Sequence, residues 1–160
     1  MESDDSIPYP QALIFFNING VVTVFSKDHR LEMHIDNGMF NGKTVYIHYT
    51  SKEGFDAIKS QRKISSNPNP DRRGTKAKSG VYLTYAKDAM NGRDAHVSLF
   101  LGAERYVLSA MYCIVFIFNS PRHLETHPIS STSPVTEVIS LQDIHFHQIN
   151  IIYDGQNPFI

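Results

Sequence analysis

One cysteine, no tryptophan and no apolar run long enough to span a bilayer set the first limits on this chain of 160 residues. A lone thiol, Cys113, excludes an intrachain disulfide and any zinc site built from cysteines alone. A membrane-spanning helix needs about 18 unbroken apolar residues, and the early apolar stretch from Ala12 to Val22 is interrupted by Asn17, Asn19 and Gly20. It follows Met1-Glu2-Ser3-Asp4-Asp5, acidic where a secretory leader carries positive charge. A cytoplasmic or nuclear protein with no membrane partner is therefore expected. Surplus charge is lacking as well: a net charge of −1 and a pI near 6.7 argue against a dedicated duplex-DNA binder. Also missing are the Gly-x-Ser-x-Gly elbow of serine hydrolases, the Walker loop, the Gly-x-Gly-x-x-Gly cradle and a helical His-x-x-x-His with its intervening glutamate.

What is present is enough for one domain with a real core. Asn19-Gly20 between Ala12–Ile18 and Val21–Phe25 is a hairpin signal, and Arg30 to Ile35 alternates with period two, as a further strand would. Asn37-Gly38 and Asn41-Gly42 mark turns. These first 43 residues are read as an extension packed on a unit spanning 44–160. Thr44 to Tyr49 is β-branched and aromatic, hence strand, and it leads into a helix capped by Thr50 or Ser51 with Phe55 and Ile58 on its buried face. Gly80 to Thr84 is a short strand. Ala86 to Gly102 is helical in part, with Val97, Phe100 and Leu101 as anchors and Gly92 as a break. Met111 to Phe118 is continuously apolar, a central strand in which Cys113 is packing rather than nucleophile. Pro121 to Pro134 reads as a connection, and two more strands, Thr136–Leu141 and Ile144–Tyr153, follow.

Eight histidines raise the question of a metal. His145 and His147 would share one face of a strand, with His123 and His127 in a nearby loop, yet no zinc-type spacing occurs and no metal is expected. Charge is unevenly spread. Lys59 to Lys78 holds seven Lys/Arg against one acid, within a stretch broken by Pro68, Pro70 and Gly74. Such a basic loop suits either a pyrophosphate or a polyanionic partner such as RNA or DNA.

Three residues stand out by context: His48 at a strand end, Tyr82 inside Gly80-Val-Tyr-Leu-Thr, and Glu137 opening a late strand. His48-Tyr49-Thr50 with Ser51-Lys-Glu-Gly-Phe-Asp-Ala-Ile, then Gly80-Val-Tyr-Leu-Thr, then Glu137-Val-Ile-Ser-Leu, resembles the ADP-ribosyltransferase superfamily. Within it the chain is similar to the toxin-type branch with a His-Tyr-Asp signature, on the plan shared by diphtheria-type toxins and poly(ADP-ribose) polymerases. The likeness runs from about Val45 to Tyr153. It departs from the pattern in three places. The acid is Glu137, with an aspartate only at Asp143. The second stacking tyrosine's position holds Arg93. Val135 stands where arginine- and guanine-directed transferases carry Gln or Glu.

The resemblance implies an α+β fold of two small packed β-sheets with peripheral helices and an NAD+ cleft between them. It implies a mono-ADP-ribosyltransferase that splits the nicotinamide–ribose bond of NAD+ and passes ADP-ribose to a macromolecular acceptor, protein or nucleic acid. NAD+ hydrolysis, an RNA 2′-phosphotransferase activity and a non-catalytic nucleic-acid or ADP-ribose binding module are the alternatives. It further implies that Glu137 steadies positive charge on the ribose, that Tyr82 stacks on nicotinamide, and that His48 holds the adenosine ribose. The Tyr49 backbone would take the carboxamide, with the Thr50 hydroxyl in reach, and Arg72 and Arg73 would meet the pyrophosphate.

Overall fold

The computed structural model of the chain describes residue 31 and residues 38–67, 79–129 and 135–160. The expected hairpin at Asn19-Gly20 lies outside them, as do Arg72 and Arg73. Leu31 is helical and buried, where the alternation of Arg30 to Ile35 predicts strand. Six residues are too few to separate a period of 2 from one of 3.6. Met39–Phe40 (β1) and Lys43–Thr44 (β2) form a hairpin whose two turn residues, Asn41 and Gly42, have φ of 52° and 75°. Both lie in the left-handed region that a type I′ turn requires.

Tyr46–Thr50 (β3) runs into the helix Lys52–Gln61 (α1). Ser51 is its cap: the hydroxyl accepts from the Gly54 N–H at 3.1 Å, satisfying one of the donors a helix start leaves over. Lys63–Ile64 (β4) follows, then Val81–Tyr85 (β5). The next helix is Gly92–Phe100 (α2), and Gly92 starts it rather than breaking it. Asn91 accepts from the Asp94 N–H at 2.8 Å and so fixes the helix origin one residue before the glycine. That origin also sets the phase. Ala95 and Leu99 are the buried pair, Phe100 is half-buried, and the expected anchors Val97 and Leu101 are 58% and 48% exposed.

The remaining strands are Tyr112–Phe118 (β6), Glu125–Pro128 (β7), Thr136–Ser140 (β8), Ile144–His145 (β9) and Ile149–Gln156 (β10). β7 lies in the stretch read as a connection. Its composition is poor in strand formers, and it holds because its backbone pairs with β8 from Glu125↔Ile139 to Pro128↔Thr136 at the sheet edge, where proline is tolerated. The expected single strand from Ile144 to Tyr153 is broken at Phe146–Gln148 by a 3-10 turn. Gln148 Oε1 accepts there from the His145 N–H at 2.9 Å and from Arg122 at 3.1 Å. His145 and His147 consequently do not alternate along one strand; their rings stack at 5.5 Å.

The architecture is α+β, and among the described residues the strands form one large sheet and two small ribbons rather than the expected pair of packed sheets. One antiparallel sheet carries six strands in the order β10-β6-β3-β5-β8-β7, beside the small ribbons β1-β2 and β4-β9. Its two faces are both covered. Val45, Ile47, Cys113, Val115 and Ile117 pack with Ala95 and Leu99 of α2, and Leu83, Ile114, Phe116 and Val138 pack with Ile58 of α1, Ile64 and Ile144. A strand buried on both faces needs apolar side chains at every position, which is why β6 reads as one unbroken apolar run.

Candidate active site

Between β3 and β5 the ladder holds for only two register pairs, Tyr46↔Tyr85 and Ile47↔Thr84. Beyond them β3 stays with β6 as far as Thr50↔Tyr112, and β5 stays with β8 as far as Val81↔Ser140. The sheet splits. In the place β3 has left, Asn67 pairs with Gly80 through backbone hydrogen bonds of 2.9 and 3.3 Å. Gly80 has to be glycine at that point: a Cβ would stand 2.6 Å from Ile139 Cγ2 and 2.7 Å from the Ser140 carbonyl oxygen. The split opens a cleft of about 290 Å3, near the lower end of the range for small-molecule sites.

His48, Tyr82 and Glu137 all line this cleft, although they come from three strands distant in sequence; Tyr49 and Thr50 line it too. His48 Nδ1 lies 2.9 Å from the Tyr82 carbonyl, across the split. A carbonyl only accepts, so Nδ1 carries the proton in this contact. The imidazole thus links the two strands where their ladder has ended. Glu137 is 3% exposed, a carboxylate inside the sheet at the head of β8.

Ladder parity fixes which backbone groups face the opening. Asn157 N–H donates to Met111, and Asn119 N–H donates to Gln148, so the odd residues of β6 turn their polar backbone toward β10 and the even ones toward β3. Their partners in β3 are Tyr46, His48 and Thr50. Val45, Ile47 and Tyr49 therefore turn theirs toward β5, as the Ala86 N–H bond to the Val45 carbonyl requires. Past Thr84, Tyr49 has no ladder partner on that side among the described residues, so its N–H and C=O border the cleft. Its side chain does something else. The ring is buried in the core, its oxygen accepts the Met90 N–H at 2.8 Å, and burial pushes the phenol well above the ordinary tyrosine range.

By the same parity Thr84 and Glu137 form a non-hydrogen-bonded cross-strand pair, the closer of the two kinds. The Thr84 hydroxyl is buried beside the Tyr49 phenol and meets no hydrogen-bond partner of good geometry among the described residues. From the other side the wall is built by Leu99, Phe100, Tyr106 and Ser109, with the Phe100 and Tyr106 rings 5.2 Å apart. Tyr106 sits in a run of turns with no motif around it, so nothing in the sequence marks it. Phe100 is visible in the sequence only as an apolar anchor.

Asp143, the other acid, is not among the cleft residues. Its carboxylate accepts from the Ser66 N–H at 2.7 Å and from Lys63 Nζ at 3.3 Å, and these contacts, the Ser66 bond foremost, hold the carboxyl below the usual range. It is a clamp. What it holds is the segment from Ser65 to Asn67, whose ends line the cleft. The described part of the basic run is engaged as well: Lys59 pairs with Asp154, Lys63 with Asp143, and the Arg62 guanidinium lies over the Phe146 ring at 5.5 Å. At Lys59 and Lys63 the charge counted along the chain is thus offset in the fold, because Asp143 and Asp154 arrive from the far end. No protein-family model matches the chain, and no curated protein or solved structure does so either.

Proposed function

We propose that the chain is an NAD+-dependent ADP-ribosyltransferase that transfers ADP-ribose to a macromolecular acceptor. The observation that carries this reading is the split between β3 and β5, with His48, Tyr82, Glu137 and the Tyr49 backbone around a single opening. Each group fits the donor in a separate way. The Tyr49 N–H and C=O are a donor and an acceptor on adjacent positions, which is what a carboxamide needs. Tyr82 offers a ring for stacking on nicotinamide, worth about 1–3 kcal/mol by analogy with bases. The Phe100–Tyr106 pair supplies aromatic surface on the opposite wall, where Arg93 departs from the family pattern. The buried Thr84 hydroxyl is a polar group that a polar ligand would satisfy.

The reaction breaks the bond between nicotinamide and ribose, and positive charge grows on the ribose as it breaks, as in glycoside hydrolysis. Glu137 stabilises that charge from inside a sheet, where water screens it little. His48, tied to the Tyr82 carbonyl through Nδ1, presents the rest of its ring to an adenosine ribose. Thr50 and the cap residue Ser51, which lead into α1, line the same cleft, and a helix start favours anions such as a pyrophosphate. Arg72 and Arg73 keep that role in the proposal from their sequence context.

Incubation with labelled NAD+ and a cell lysate tests the reading. Label retained in macromolecules is the expected result. Free ADP-ribose alone would make the protein an NAD+ hydrolase, and NAD+ left intact would leave only a binding module.

A further inference from the structure

Transfer to a hydroxyl requires the acceptor to lose a proton, and the proposal so far assigns no residue to that task. Glu137 is committed to the ribose, and Val135 stands where other transferases place an acceptor-facing side chain. The sheet offers a candidate one strand further out. His127 on β7 is the register partner of Glu137, as Thr84 is on β5. Thr84, Glu137 and His127 consequently form one row across three strands with their side chains on one face. His127 is half-exposed at the sheet edge, beside the cleft lining rather than in it, so its ring reaches solvent. Its Nε2 lies 3.4 Å from Glu125 Oε1, two residues back on the same face. A carboxylate only accepts, so Nε2 carries the hydrogen, and in the neutral ring Nδ1 keeps a lone pair. Among the described residues Nδ1 has no partner. Among the described residues the charged groups beside the imidazole are Glu125 on its own strand and its register partner Glu137 on β8, the strand against which β7 pairs.

We infer that His127 is the general base for the acceptor, with Glu125 as its positioning residue, and that the acceptor nucleophile is a hydroxyl. The inference rests on the transferase reading above. A carboxylate acceptor needs no base, and a guanidinium holds its proton too firmly for an imidazole to remove. In the step, the hydroxyl oxygen bonds to the ribose carbon and the bond from that carbon to nicotinamide breaks. The bonding pair leaves with nicotinamide, which becomes neutral, and the hydroxyl proton passes to His127 Nδ1 and then to water.

The full chain can be tested with two small nucleophiles, methanol, which must lose a proton, and azide, which has none to lose. The readout is the ratio of methyl to azido ADP-ribose formed from NAD+. His127→Gln is expected to lower that ratio by about 10²-fold. Glu125→Gln lowers it less. A heteronuclear NMR spectrum of the protein without NAD+ is expected to show the His127 Nε2–H tautomer. An unchanged ratio in His127→Gln, or an Nδ1–H tautomer, overturns the assignment while leaving the transferase reading intact. A wild-type chain that yields neither product overturns both.

Discussion

Thr84 carries a hydroxyl that folding removes from water without supplying a good hydrogen bond among the described residues. Such a group costs about 1–3 kcal/mol when left unpaired, a cost that makes sense where a ligand completes the bond. Thr84→Val keeps the shape and removes the hydroxyl. The ligand-free protein is expected to be equally stable or more so by thermal unfolding, while NAD+ affinity falls by about tenfold, the worth of one hydrogen bond. If the variant is destabilised and binds NAD+ normally, the hydroxyl serves the fold and not the ligand. Glu137 makes the complementary case. Glu137→Gln leaves size and burial unchanged and removes only charge, so NAD+ binding by calorimetry should persist while nicotinamide release drops by about 10²–10³-fold. An equal loss of binding would place the carboxylate's role in the ground state.

At the scale of single elements, the split strand pair and its props decide the cleft. β3 and β5 diverge after Thr84, the Asn67–Gly80 bridge fills the gap, and Asp143 ties down Ser66 beside it. The Asp143 carboxyl is depressed in the folded state, so its contribution is fully present above the unfolded value of about 4 and is lost as pH falls through the lower folded value. With a side chain 31% exposed, the contribution is about 1 kcal/mol after solvent screening. Urea midpoints at pH 7 and pH 3 should differ by less in Asp143→Asn than in the parent chain. Identical differences would show that the clamp carries no charge-dependent stability.

The same elements show what local sequence conveys. Gly80-Val-Tyr-Leu-Thr and the Ser51 cap are legible because strand pattern and capping act within a few residues. β7 is not, because its pairing with β8 is made by backbone that composition does not encode. His127 reads as a loop histidine until that register places it opposite Glu137. Val97 and Leu101 mislead for a related reason: one residue of shift in a helix origin turns a different face inward.

For the molecule as a whole, the cleft is a seam between two half-sheets, β10-β6-β3 and β5-β8-β7, joined by two register pairs and by the His48 bridge. A ligand lying in the seam touches both halves and so stabilises the whole chain rather than one strand. At a free concentration 100 times its dissociation constant, NAD+ should add about 2.7 kcal/mol to the unfolding free energy. The more discriminating expectation concerns where protection appears. Tyr49 N–H faces the opening without a ladder partner among the described residues, so it should exchange with deuterium faster than the paired amides of β6 in the free protein. A carboxamide accepted on that backbone would slow its exchange at saturating NAD+. The β1–β2 hairpin contributes no residue to the cleft and serves as the internal control. Protection at Tyr49 with the hairpin unchanged is the expected pattern. Uniform slowing across the sheet would reflect global stabilisation alone. An unaltered Tyr49 amide in a chain that still consumes NAD+ would move the carboxamide contact off this backbone.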